Sequence, residues 1–149
     1  MAEINLLIDR SRRDEELEKK IPLLKPVIRI KCGFLFEGTE IPRIAIVDTG
    51  AHTSVIPFRF WRNMNVEILA KHYTAGIVPG KKIPVNVGYI TGKLVDSEGN
   101  ESKEIQFLSY LSFTNKITLL LGMRDLLEKF DLHLKFSENK AWLKEYNNL

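Results

Sequence analysis

Cysteine occurs once in the 149 residues, at Cys32, so no intrachain disulfide can form and nothing in the chain calls for an oxidising compartment. The three histidines, His52, His72 and His133, stand far apart without companion Cys or Glu at ligand spacing. That removes the recognisable zinc motifs, and neither a metal nor any other cofactor is expected. No apolar run approaches the length needed to span a bilayer, and the opening M-A-E-I-N-L-L-I-D-R lacks the apolar stretch of a secretory leader. A membrane partner is not expected, and a cytoplasmic location is. Blocks of one charge are missing too: 22 basic and 19 acidic residues are interspersed for a net charge of +3, a balance that offers nucleic acid no concentrated patch. Repeats and low-complexity tracts are absent, and the length suits one domain with its own core.

What is present is mostly β patterning. Residues 1–20 are charge-rich and read as an N-terminal extension, with a short helix over residues 14–20 whose acids come early and lysines late. Pro22 and Pro26 punctuate the chain. Alternation then begins at Val27 and runs to Phe36, a Glu37-Gly38-Thr39-Glu40 turn follows, and Arg43 to Val47 forms the second arm. A helical turn is expected over residues 58–64, after Pro57. Residues 73–95 read as a hairpin turning at Val78-Pro79-Gly80-Lys81, where Pro-Gly favours a tight turn. A second turn at residues 96–100 leads into a strand over residues 104–113. Residues 125–130 look helical, and two alternating strands, 131–136 and 141–146, close the chain. Short, turn-rich links argue for antiparallel pairing.

The segment that carries chemistry is Ile44 to Pro57, I-A-I-V-D-T-G-A-H-T-S-V-I-P. A bare Asp-Thr-Gly arises by chance in about 3 chains of this length in 100, so the tripeptide alone decides little and its flanks matter more. Four apolar residues precede Asp48 and suit a buried strand, while Gly50 allows close backbone approach. The carboxylate is thus presented at a strand end.

This loop, with Ala51 after the glycine and Ser54-Val55-Ile56 beyond, resembles the active-site loop of retropepsin-like (retroviral-type) aspartic proteases. Leu119-Leu120-Leu121-Gly122-Met123-Arg124-Asp125-Leu126-Leu127 resembles the apolar-apolar-Gly-Arg-Asn/Asp-Leu-Leu segment near the end of that family's domain. The resemblance covers about residues 26–136 and places the protease domain at residues 21–149. It departs from the pattern at two positions. Met123 sets Arg124 one place late, and His52 stands where viral members often carry the aspartate that pairs with the arginine. Leu121, Gly122, Arg124 and Asp125 take structural roles in this reading, Asp125 at a helix start. The fold implied is mostly β, a single acid-protease lobe forming a closed β-barrel with one short helix near the C-terminus.

What the resemblance implies for function follows from stoichiometry. Peptide hydrolysis of this kind needs two carboxylates sharing one proton, one acting as base toward water and the other as acid toward the carbonyl oxygen. The chain has one Asp-Thr-Gly and no second equivalent. A C2 homodimer is therefore implied, with Asp48 of each subunit on the axis, Thr49 bracing the two loops and Gly50 admitting the backbone. Ala51 lacks the hydroxyl that pepsin-like enzymes often place there, so activity is expected nearer neutral than below about pH 4, where free Asp titrates. Val78, Pro79, Gly80 and Lys81 are the candidate flap tip, although Tyr73-Thr74-Ala75-Gly76 faintly resembles the flap of the pepsin branch. The expected partners are a second copy and a polypeptide substrate. The alternative is a catalytically silent, dimeric peptide-binding module of the same fold. Asp-x-Gly-x-x-x-Ser also resembles the first phosphate loop of actin-like ATPases, but the chain is too short for their second loop and two large domains.

Overall fold

The period-two alternation from Val27 onward produces the hairpin that organises the molecule. In this computed structural model, which describes residues 2–146 apart from the side chains of Ile77 and Val78, β2 (Val27–Phe36) turns Cys32, Phe34 and Phe36 inward. It pairs antiparallel with β3 (Arg43–Val47), Lys31 opposite Ile46 and Cys32 opposite Ala45.

The first strand differs from expectation. Residues 1–20 read as an appended segment, yet β1 (Glu3–Arg12) is paired along both halves. Glu3 to Leu6 lie antiparallel to β10 (Lys140–Glu145), and Leu7 to Arg12 lie antiparallel to β2. The physical reason is a short alternation, Ile4 and Leu6 between Glu3 and Asn5, that buries both apolar side chains in the main core. Charge density from Asp9 onward masked it. The expected helix after β1 is one turn, α1 (Glu15–Glu18), capped by the Asp14 carboxylate accepting from Leu17 N–H at 3.0 Å.

The remaining strands are β4 (Ser54–Ile56), β5 (Ala70–Val78), β6 (Lys81–Val95), β7 (Ile105–Ser112), β8 (Leu120–Leu121) and β9 (Phe130–Lys135). Their order is β5-β6-β7-β4-β8-β3-β2-β1-β10-β9, and an additional β2–β6 pairing brings the sheet back on itself. Most neighbours are antiparallel, but β3 runs parallel to β8 and β4 parallel to β7. A helical turn, α2 (Phe58–Trp61), follows Pro57 as expected. No helix among the described residues is long and apolar enough to cross a membrane.

Two details of the C-terminal region correct the sequence reading. The helix expected over residues 125–130 is a single 3-10 turn, Leu127–Lys129. Asp125 does not start it in helical geometry: its φ is +62°, and its carboxylate accepts from Leu108 N–H at 3.0 Å on β7. That long-range bond outweighs the local helix preference of the segment.

The core gathers inward residues from both arms of the sheet, including Phe34, Phe107, Leu94, Leu111, Leu121 and Leu143. Phe34 meets Phe36 and Phe107 edge-on at centroid separations of 4.8 and 5.6 Å, each contact worth about 1 kcal/mol beyond area burial. Cys32 is 1% exposed, and burial, helped by the nearby Asp96 charge, pushes its thiol up to about 12. Native protein should therefore resist thiol reagents at pH 8 and react once per chain only in denaturant, which a colorimetric thiol titration checks. The linkage has a definite sign: above about pH 9 the unfolded thiol ionises while the folded one keeps its proton, so this contribution to stability declines as pH rises toward 12.

Candidate active site

The site is built where β3 ends. Ile46 N–H donates to the Leu119 carbonyl at 2.8 Å and Asp48 N–H to the Leu121 carbonyl at 3.0 Å, so the parallel β3–β8 ladder carries the chain directly to Asp48. Beyond it the backbone turns sharply. Gly50 N–H donates to Asp48 Oδ1 at 2.9 Å, and Ala51 N–H donates to the Asp48 carbonyl at 3.2 Å. The carboxylate is held by its own loop and stays half-buried, with Thr49 and Gly50 exposed beside it.

The Leu121-Gly122 segment locks this loop from below. Gly122 N–H donates to Ser54 Oγ at 2.9 Å, a fully buried bond between residues 68 apart in sequence. Met123 N–H donates to the Ala51 carbonyl and Arg124 N–H to the His52 carbonyl, both at 2.9 Å. Gly122 lies so close that a Cβ would fall 2.6 Å from the Thr53 carbonyl carbon and 2.9 Å from the Ala51 oxygen. Glycine is required there by contact, not by torsion.

Ser54 shows what that lock is worth. Ser54→Ala would strand the buried Gly122 N–H, at a cost of about 1–3 kcal/mol. Urea denaturation should show the loss as a lower midpoint with unchanged slope; an unchanged midpoint would mean another acceptor takes the bond.

Arg124 is exposed and enters none of the ion pairs among the described residues. His52 offers it no acid, and its Nδ1 lies instead 2.8 Å from Thr53 Oγ1. Here the backbone bonds of Met123 and Arg124 join the two segments.

Asp48 lies in a cleft of about 490 Å³. Gly50, Ala51 and His52 line it on one side, and Thr74, Ala75 and Gly76 come from the β5–β6 hairpin. The hairpin turns at Pro79-Gly80, with Val78 paired to Lys81, so the turn falls where the sequence placed it. The side chain of Val78 lies outside the described residues. The cleft lining, however, comes from the earlier stretch, where the register shifts between Thr74 and Val78 and Gly76 adopts a φ of +87°.

Sequence reasoning missed several cleft residues. Tyr110 of β7 lines the cleft, its ring 6.0 Å from His52 and 5.8 Å from His72. Arg12, Arg29 and Lys116 line it as well. Strand alternation identifies Tyr110 as opposite in facing to its buried neighbours, but nothing local announces that this face meets Asp48. Among the described residues no group of three or more His, Cys, Asp or Glu is arranged to hold a metal.

No protein-family model and no curated protein matches the chain. Among solved structures it is similar to the crystal structure of a retropepsin-like aspartic protease from Rickettsia conorii, at 17% sequence identity and a TM-score of 0.53. The match covers 95% of this chain and 89% of that one. The fold is thus retropepsin-like over nearly the whole chain, as the Asp-Thr-Gly and Leu-Leu-Gly segments implied.

Proposed function

We propose that this chain is a homodimeric aspartic endopeptidase with one catalytic carboxylate, Asp48, in each subunit. The observation that carries the reading is the placing of Asp48: half-buried at a strand end, oriented by Gly50 N–H, and, among the described residues, the only acidic one lining a cleft that the β5–β6 hairpin also lines. A single carboxylate cannot serve as both base and acid in one step, so the cleft requires a second copy.

In the dimer the two Asp48 carboxyls share one proton, because like charges that close do not both ionise. The ionised one removes a proton from a water, whose oxygen attacks the scissile carbonyl carbon. The protonated one gives its proton to the carbonyl oxygen. Collapse of the tetrahedral intermediate returns the carbonyl, breaks the C–N bond and delivers a proton to the departing amine. Thr49, exposed at the loop tip, is assigned the brace to the partner loop. Thr74 to Gly76 and the Val78 to Lys81 turn form the flap over an extended peptide, whose closure excludes water.

The test is mass-spectrometric profiling of a mixed peptide library from acidic to neutral pH, with wild type and Asp48→Asn purified in parallel and the dimer measured by sedimentation. Cleavage by wild type alone, maximal above about pH 4, is expected. Silence from a confirmed wild-type dimer would move the assignment to a peptide-binding module without catalysis.

A further inference from the structure

The charge of the cleft is lopsided. Arg12, Arg29 and Lys116 line it together with His52, against the single carboxylate of Asp48 among the described residues. Their immediate neighbours behave differently. Arg13 is paired to Glu18 and Lys31 to Asp9, both at 2.7 Å, whereas Arg12, Arg29 and Lys116 enter no ion pair among the described residues.

The contrast is sharpest for Arg29. Asp9 is its register partner across the β1–β2 ladder, yet the Asp9 carboxylate is turned to Lys31 and to the Ser11 hydroxyl and N–H. These contacts hold it well below the usual carboxylate range. The acid nearest in register is thus committed elsewhere. Arg12 reaches the cleft only because β1 is built into the sheet, and Lys116 arrives from the segment before β8.

We infer that these unpaired cations select acidic side chains: the preferred substrate is an extended peptide carrying Glu or Asp within a few residues of the scissile bond. The inference rests on the peptidase reading of this cleft and adds its substrate class. In a dimer each cation occurs twice around one shared catalytic proton, so the field over the bound peptide is positive at both ends.

The test uses matched extended peptides that differ only by Glu, Gln or Lys at positions flanking a central apolar pair, which is a cleaved bond where library profiling finds one. Wild type should cleave the Glu peptide about tenfold faster in kcat/KM than the Gln peptide at low salt, as expected for two partly exposed ion pairs. The ratio should shrink toward one at 1 M salt, where the screening length is about 3 Å. Arg12→Gln with Lys116→Gln should lower the ratio to near one, and Lys116→Glu should shift preference toward the Lys peptide. Both positions are exposed, so thermal unfolding should match wild type.

Binding separates charge selection from catalysis. Fluorescence anisotropy of labelled Glu and Gln peptides on Asp48→Asn protein should show the same preference without turnover. Preferential binding of the Glu peptide, lost in the Arg12/Lys116 variant, while wild type cuts nothing, would uphold the charge selection and remove the peptidase reading. Equal handling of Glu and Gln peptides, or binding of neither, would overturn the inference whatever is cleaved.

Discussion

On the proposed function, Asp48→Asn protein should fold and dimerise as wild type does yet hydrolyse peptides about 10²- to 10⁴-fold more slowly, the range associated with losing a positioned acid–base group. The substitution is nearly isosteric. Its side-chain oxygen can still accept from Gly50 N–H, which lies 2.9 Å from Asp48 Oδ1, so the turn keeps its local bond. What disappears is the capacity to take and return a proton, from both subunits at once. The effect should therefore fall on kcat, while peptide affinity in anisotropy stays within a few-fold of wild type. Equal cutting by both preparations would trace the activity to a contaminant.

Gly122→Ala is expected to be the most damaging small substitution for the site's architecture. Its Cβ would sit 2.6 Å from the Thr53 carbonyl carbon, 2.8 Å from that oxygen and 2.9 Å from the Ala51 oxygen. All three are backbone atoms, so no side-chain rotation relieves the contact. The loop must move, and with it the bonds from Gly122 N–H to Ser54 and from Met123 N–H to Ala51. Overpacking of this kind costs about 1–3 kcal/mol, equivalent to about 2–4 °C of Tm per kcal/mol in a domain of this size. Activity should drop further than stability does, because the displaced residues directly follow Asp48-Thr49-Gly50. A Tm within 1 °C of wild type and unaltered kcat/KM would refute the argument that this glycine holds the loop in place.

The two segments that pointed to the site in sequence are the ones whose determinants are local. Ile44 to Val47 reads as a strand because consecutive apolar residues have few other uses, although only Ala45 and Val47 are buried and Ile44 stays exposed, and the Asp-Thr-Gly turn reads from its small residues. Pro79-Gly80 is equally legible, because turn chemistry operates within four residues. The helix expected over residues 125–130 was misread for the opposite reason. Asp125 accepts from Leu108 N–H, 17 residues away, at a φ of +62°, and no local pattern records that partner. The two shortest strands, β4 and β8, are too brief for periodicity and exist through their pairing with β7 and β3.

Hydrophobic patterning and turn chemistry, both short-range, determined by themselves that this chain is mostly β and that Asp48 stands at the end of a strand. Closing the sheet decided the rest. Arg12, Arg29, Tyr110 and Lys116 share one cleft with Asp48 because β1 inserts beside β2 and the β6–β2 pairing folds the sheet back on itself. Likewise Ser54 meets Gly122 only when β4 and β8 lie side by side. Such contacts join residues dozens of positions apart, and a local pattern carries no record of which face another strand will bring against it.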